Sequence, residues 1–187
     1  MANTDAPRGA WPIRHLTGGV IRTQKFTIAS AYDTAIHPGD VVKLVAGGGI
    51  AVAAAGNRIL GTFAGCQYTD TASGDVKFAK SWIASTAASN IVAYVYADPD
   101  IVFGIQSAGS TVAVDVGTLG DHVATAGDAN ISLSKHTLNG TTSTAVAGFR
   151  VLDKLDTPNN AWGTNVDLEV MIYEHEFSHA DATTPGV

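Results

Sequence analysis

Residues 165–177 read NVDLEVMIYEHEF, and Ser178 and His179 then complete an H-E-x-x-H pattern made by His175, Glu176 and His179. Two readings compete for this stretch. On a helix, residues four apart lie about 5–6 Å from each other, so both imidazoles could share one zinc ion with Glu176 as general base. On a strand, four residues span about 13 Å, and one metal cannot take both rings. Read as a strand, Val166, Leu168, Val170 and Ile172 form an apolar row. Asp167, Glu169, Met171, Tyr173, His175 and Phe177 then fall on the other face. The helix has support of its own: Thr164 and Asp167 match a short capping box, and Leu, Met and Glu are good helix formers. The strand is the stronger reading. The segment AGFRVLDKL and the turn TPNNAWGT just upstream offer it an antiparallel partner.

A count of metal ligands points the same way. A catalytic zinc needs three protein ligands and an open position. Downstream of His179 the chain offers only ADATTPGV, with Asp181 as its one candidate, and the H-x-x-G-x-x-H continuation is missing. His15, His37, His122 and His136 lie upstream at no recognised spacing. His175 and His179 are therefore expected as solvent-facing residues at a strand end, with a zinc metallopeptidase kept only as a minor alternative. No metal, cofactor or catalytic residue is assigned.

Outward from this stretch, short apolar runs alternate with turns. DVVKLV, AGGG and IAVAAA read as a hairpin, followed by the β-type run ILGTFAGCQY. In DVKFAKSWIA, Val76, Phe78 and Trp82 share one side of a strand, with Lys80 as the polar exception. In NIVAYVYADPDIVFGIQ, Ile91–Tyr96 and Ile101–Ile105 read as a strand and its returning neighbour around a DPD turn. Residues 107–144 are small and polar and read mostly as loop, with short β pieces at Thr111–Val116 and Ile131–Leu133. No helical segments alternate with the strands, which argues against a parallel α/β sheet. The expected fold is all-β: an antiparallel sandwich or barrel, jelly-roll-like or smaller. Its parts are an extended N-terminal arm over 1–19, a β domain over 20–179 with 107–144 loop-rich, and a flexible tail over 180–187.

Composition narrows the function classes. Hydrophobic residues make up 45% of the 187, enough for a core, while charged residues are only 15% and the net charge is −6. The basic residues are scattered singly, so the patch that phosphate binding or an anionic membrane surface would require is missing. No apolar run reaches membrane-spanning length, and the start shows no secretory pattern. The lone Cys66, set among β-type residues, reads as a small buried hydrophobe, and synthesis in a reducing cytoplasm is expected. The Gly-rich AGGGIAVAAAG fits neither a dinucleotide nor a P-loop fingerprint. Trp11, Trp82 and Trp162 read as core or interface anchors. The arm MANTDAPRGAWPIRHLTGG holds Pro7 and Pro12 and ends in Gly18-Gly19, yet Trp11, Ile13 and Leu16 are too apolar for a free tail. It either folds back on its own core or docks on a neighbour.

Several segments taken together, MANTDAPRGAWPIRHLTGG, YADPDIVFGIQ and LNGTTSTAVAGFRVLDKLDTPNNAWGTNVDLEVMIYEHEF, resemble small head structural proteins of tailed bacteriophages. The stretch GDVVKLV…NRILGTFAG is similar to the β-rich cores of capsid decoration, or cement, proteins. The resemblance implies a virion protein made in the host cytoplasm. It would bind the outside of the capsid as a dimer or trimer and clamp major capsid protein subunits, with no nucleic-acid or membrane partner. It carries no catalytic residue. It also implies a strand through MIYEHEF. Within this reading Pro7, Trp11, Ile13 and Arg14 are the expected contacts to capsid or sister subunit. Another head–tail or tail role is the runner-up, and host sugar binding by loops 117–144 is a further alternative.

Overall fold

The computed structural model describes residues 3–140 and 148–178. In chain order the strands are β1 (Trp11–His15), β2 (Gln24–Phe26), β3 (Val41–Val45), β4 (Gly49–Val52), β5 (Gly61–Asp70), β6 (Val76–Ala79), β7 (Ala88–Tyr96), β8 (Ile101–Gln106), β9 (Ser110–Thr111), β10 (Leu119–Gly120), β11 (His122–Val123), β12 (Thr137–Leu138), β13 (Phe149–Lys154), β14 (Gly163–Thr164) and β15 (Asp167–Ile172). Among the described residues the only helical element is the 3-10 turn Ala113–Asp115. The all-β expectation therefore holds.

Residues 165–172 resolve as the strand reading requires. Val166, Leu168, Val170 and Ile172 are all buried, and β15 pairs antiparallel with β13 on one side and β8 on the other. A helix would have wrapped this row around its axis and left half of it in water. β15 is the centre of a five-stranded sheet ordered β1-β8-β15-β13-β10.

The second sheet runs β2-β7-β5-β3-β4, with β6 paired to the far half of β5. Its two ends meet. Thr27, just past β2, bridges Gly49 of β4 in parallel, and Ile50 N–H donates to the Thr27 carbonyl at 2.8 Å. Four antiparallel pairings followed by one parallel contact close the five strands into a small barrel, removing the open edges a flat sheet would present. Ile28, Ile36, Val42, Ile50, Leu60, Phe63 and Trp82 are among the residues that fill it. Trp82 and Ile36 exchange backbone hydrogen bonds of 2.9 and 3.0 Å, and Tyr68 meets the Trp82 ring edge-on at 5.6 Å. Cys66 is buried in the same cluster, and burial pushes its thiol up to about 11, in keeping with a structural thiol.

The barrel wall is buried on both sides. Val41 and Ile59 face out toward the five-stranded sheet, while their neighbours Val42 and Leu60 face in. Outside the wall, Ile101, Phe103, Ile105, Phe149, Val151, Leu168 and Val170 form the second core. β8 is buried along its whole length, so it reads as an unbroken apolar run rather than an alternating one.

Three expectations change. β7 and β8 are both strands, but they do not form a hairpin. Asp98 Oδ1 accepts the Asp100 N–H at 2.9 Å, and the chain crosses from the barrel to the other sheet, where β8 pairs with β1 and β15. β6 ends at Ala79, so Trp82 leaves the face of Val76 and Phe78 and plugs the barrel. In 107–140 the short strands fall at 110–111, 119–120, 122–123 and 137–138 rather than at 111–116 and 131–133. There, small polar residues left no periodicity to read. The tail over 180–187 lies outside the described residues.

The N-terminal arm folds back on its own chain. β1 is the edge strand of the five-stranded sheet, with a bulge between Pro12 and Arg14, and Ala10 is fully buried in the core behind it. Trp11 pairs with Gly104, where an added Cβ would sit 2.3 Å from the indole ring. Gly104 is thus the seat that lets Trp11 lie flat on β8. Gly104→Ala should displace the ring and destabilise the protein by about 1–3 kcal/mol, the usual range for overpacking. Urea unfolding followed by tryptophan fluorescence would show the lowered midpoint, and an unchanged midpoint would mean that the seat is slack.

Candidate functional site

Three polar constellations merit description. The first contains His175 of the H-E-x-x-H pattern. β15 ends at Ile172, and the following residues run alongside Ile59: Ile59 N–H donates to the Glu174 carbonyl and Glu176 N–H to the Ile59 carbonyl, both at 2.9 Å. This bridge turns the His175 side chain inward, to 1% exposure, which corrects the expected solvent-facing placement. Its Nδ1 accepts the Phe177 N–H at 3.0 Å, so the proton sits on Nε2. Burial pushes the imidazole pKa down to about 4, keeping it neutral. His175 is therefore a packed core histidine on a non-helical segment. His179 lies outside the described residues.

The second constellation is buried between the barrel and the segment 122–137. Asp40, at 2% exposure, accepts the His37 backbone N–H on Oδ2 at 2.7 Å. Its Oδ1 lies 3.5 Å from His136 Nε2. His136 accepts the Val41 N–H on Nδ1 at 3.2 Å, which leaves Nε2–H aimed at the carboxylate. His122 stacks on His136 with ring centroids 5.7 Å apart and bonds the Ala53 carbonyl through Nε2 at 2.9 Å. On the far side His37 Nδ1 meets Ser81 Oγ at 2.9 Å. His37, Asp40 and His136 line a cavity of about 270 Å³ whose remaining walls are small residues, including Val52, Thr125 and Gly127.

Burial dominates the electrostatics here. It raises the Asp40 carboxyl, although the His37 N–H and Ser134 oppose it. It lowers His122, and it lowers His136 to about 3 with help from the neighbouring His122. His37 is held by Ser81, and His136 accepts the Val41 N–H on Nδ1 while its Nε2 stands 3.5 Å from Asp40 Oδ1, too far for a good hydrogen bond. The group thus works as a hydrogen-bonded clamp joining the loop-rich segment to the barrel. His37, His122 and His136 were visible in the sequence only as scattered histidines, because they are brought together across a separation of nearly a hundred residues.

The third constellation sits where β1 ends against the β7–β8 connection. His15, Asp98 and Asp100 each offer a ligand atom, all within 4.8 Å of one another. It is the one such trio among the described residues. His15 Nδ1 accepts the Thr17 N–H at 3.3 Å, and His15 Nε2 meets Asp98 Oδ2 at 3.3 Å. The Asp100 N–H, and then His15, hold the Asp98 carboxyl below its ordinary range. An imidazole and two carboxylates suit a divalent cation in chemistry. His15 and Asp98 already pair as a pin that fastens β1, with Leu16 N–H on the Asp100 carbonyl at 2.8 Å.

The expected contact residues lie along β1 and the chain before it. Trp11 is half-buried under Arg8, whose guanidinium stacks 3.9 Å above the ring and bonds Asp167 at 2.9 Å. Arg14 is exposed and pairs with Glu169 at 2.8 Å, while Pro7 and Ile13 are half-buried. These side chains are thus partly spent on their own sheet. Comparison with protein-family models, curated proteins and solved structures finds no match.

Two outcomes follow. Zinc titrated onto the protein should leave any bound equivalent intact in His179→Ala and remove it in His15→Ala, as elemental analysis would show. Loss on His179→Ala instead would restore the C-terminal motif as a metal site. Stability should also fall in acid. Because folded His136 and His175 resist protonation, the unfolded chain takes up protons that the native state refuses. Stability is therefore lost as pH drops from about 6.5 toward 3–4, by about 1.4 kcal/mol per pH unit for each such group. Asp40, raised in the native state, works in the opposite sense at the acid end. His136→Gln should flatten the dependence, measured as urea midpoint against pH.

Proposed function

We propose that this chain is a non-enzymatic structural protein of a tailed-phage virion, decorating the outside of the head and bridging major capsid protein subunits. The reading rests on the resemblance of its arm, its central strand pair and its closing segment to head structural proteins. One structural observation carries it further: apolar side chains are exposed on projecting elements of a body that is otherwise weakly charged. Phe78 is 76% exposed and Val76 56% exposed on β6, with Ile83, Val114 and Ile131 exposed elsewhere on turns. Apolar side chains exposed singly are ordinary, but Val76 and Phe78 lie two apart on one side of β6, and a contiguous pair of that kind marks a contact surface. A closed barrel backed by a second sheet gives a rigid body for them. Most of the hydrogen bonds made by the polar groups described above join one part of the fold to another, which supports a structural role over an enzymatic one. In this reading Pro7, Ile13 and Arg14 form the rim of a contact made by the β1 edge, and Trp11 acts by holding that edge in place. No helix among the described residues is long and apolar enough to cross a membrane.

The test is direct. Expanded phage heads lacking the protein are mixed with the purified chain and sedimented. Saturable co-sedimentation and a raised temperature of head disruption are expected, and Arg14→Gln should weaken binding several-fold while lowering the stability of the free protein by no more than the ~0–1 kcal/mol of an exposed ion pair with Glu169. If the heads stay bare and the protein is found at the neck or tail of intact particles, decoration is wrong and the head–tail role replaces it.

A further inference from the structure

The β5–β6 hairpin projects from the barrel. Every residue from 71 to 78 is exposed, on both faces of the strand and around its turn. β6 pairs with β5 on one side only, and among the described residues nothing pairs with its outer edge. The direction of that edge can be read from the ladder. The Asp75 carbonyl accepts the Asp70 N–H at 2.9 Å, so Asp75 turns its backbone groups toward β5. Alternation along the strand then turns the N–H and C=O of Val76 and Phe78 outward, free to pair. An apolar strand with an unsatisfied edge is a template for another strand.

We propose that the occupant is β6 of a second copy, paired antiparallel about a two-fold axis through Val76. This deepens the proposed assembly role, on which it rests. A two-fold axis normal to an antiparallel pair must carry a residue onto its own counterpart, which limits the registers to those centred on a single residue. Centring on Val76 sets Val76 opposite Val76 with mutual N–H to carbonyl bonds. It also places Asp75 of each copy opposite Lys77 of the other, so charges complement each other twice. Phe78 falls beside Gly74 of the other copy, where an added side-chain atom would meet nothing within 4 Å and an aromatic ring has room. Centring on Lys77 would instead set two ammonium groups face to face. Centring on Phe78 would leave Asp75 opposite Ser81 and Lys77 opposite Ala79, with no ion pair across the interface. Charge thus selects the Val76 register. Lys77 already bonds Asp70 within its own hairpin, so it is held in place for the second carboxylate. Because the contact lies near the hairpin tips, the two barrels extend away from it on opposite sides. Like charges directly opposite are costly, so the same pattern works against other registers.

The experiment uses the full chain with single cysteines. Cys66 is buried, so an added surface thiol is the accessible one. Sedimentation equilibrium of the wild type should show a monomer–dimer equilibrium, and Asp75→Lys should weaken it at least tenfold while leaving the circular dichroism and melting temperature unchanged. Under oxidised glutathione, Val76→Cys should form a covalent dimer. Phe78→Cys should not, since in this register two Phe78 positions lie about 13 Å apart, beyond disulfide reach. A wild type that stays monomeric at its highest soluble concentration overturns the proposal, as does crosslinking at 78 in place of 76. Failure here is separable from failure of the decoration reading. A monomer that still coats heads refutes only the pairing, and a dimer that leaves heads bare refutes only the decoration.

Discussion

The wall shared by the two cores is the constraint from which the rest follows. Val41 and Val42 are adjacent in sequence and fully buried, yet they belong to different clusters, and Ile59 and Leu60 repeat the arrangement. A strand can be apolar on both faces only if something covers each face. The barrel closes to cover one side, and the sheet of β8, β13 and β15 covers the other. The parallel contact between Thr27 and Gly49 is what allows closure, because without it the strands around Trp82 would present open edges.

Packing of this kind has consequences for the polar residues caught inside it. Asp40, His37, His122 and His136 lie in the seam between the barrel and a segment with little regular structure of its own. Small residues and two-residue strands bury too little surface to hold 107–140 in place by packing alone. The buried imidazoles supply directional bonds instead: His122 to the Ala53 carbonyl and His136 to the Val41 N–H. Burial keeps the seam histidines neutral, and protonating them on unfolding gives the seam a pH limit. The same economy is seen at the chain start. β1 has a bulge, a proline and one paired edge, and it is fastened by Trp11 on Gly104, by Arg8 and Arg14 on acidic residues of β15, and by His15 on Asp98.

The surface reads as the complement of this interior. With few charges, and several of those spent in ion pairs along β15, the protein has little long-range field with which to attract a charged partner. In the proposed assembly role its contacts would come from shape, backbone edges and apolar side chains, as on the hairpin of residues 71–78 and along β1. A protein assembled in many copies can rely on contacts that are individually modest. That makes a low-charge surface with a few apolar projections a workable design for a structural component.

The sequence alone determined the elements with strong period-two patterns. The row Val166, Leu168, Val170, Ile172 favoured a strand over a helix, and so argued against an H-E-x-x-H zinc site. The β3–β4 hairpin was legible from its glycines, the lone cysteine from its apolar neighbours, and Trp82 from its placement as an anchor. These are local properties, set by where side chains point along one segment. Tertiary structure alone decided that β7 and β8 part company, that His175 turns inward, and that His37, His122 and His136, far apart in sequence, share one buried seam. The physical reason is the same in each case. Pairing of strands distant in sequence and burial by residues far along the chain depend on which faces are left uncovered once the barrel has closed, and no local pattern records that.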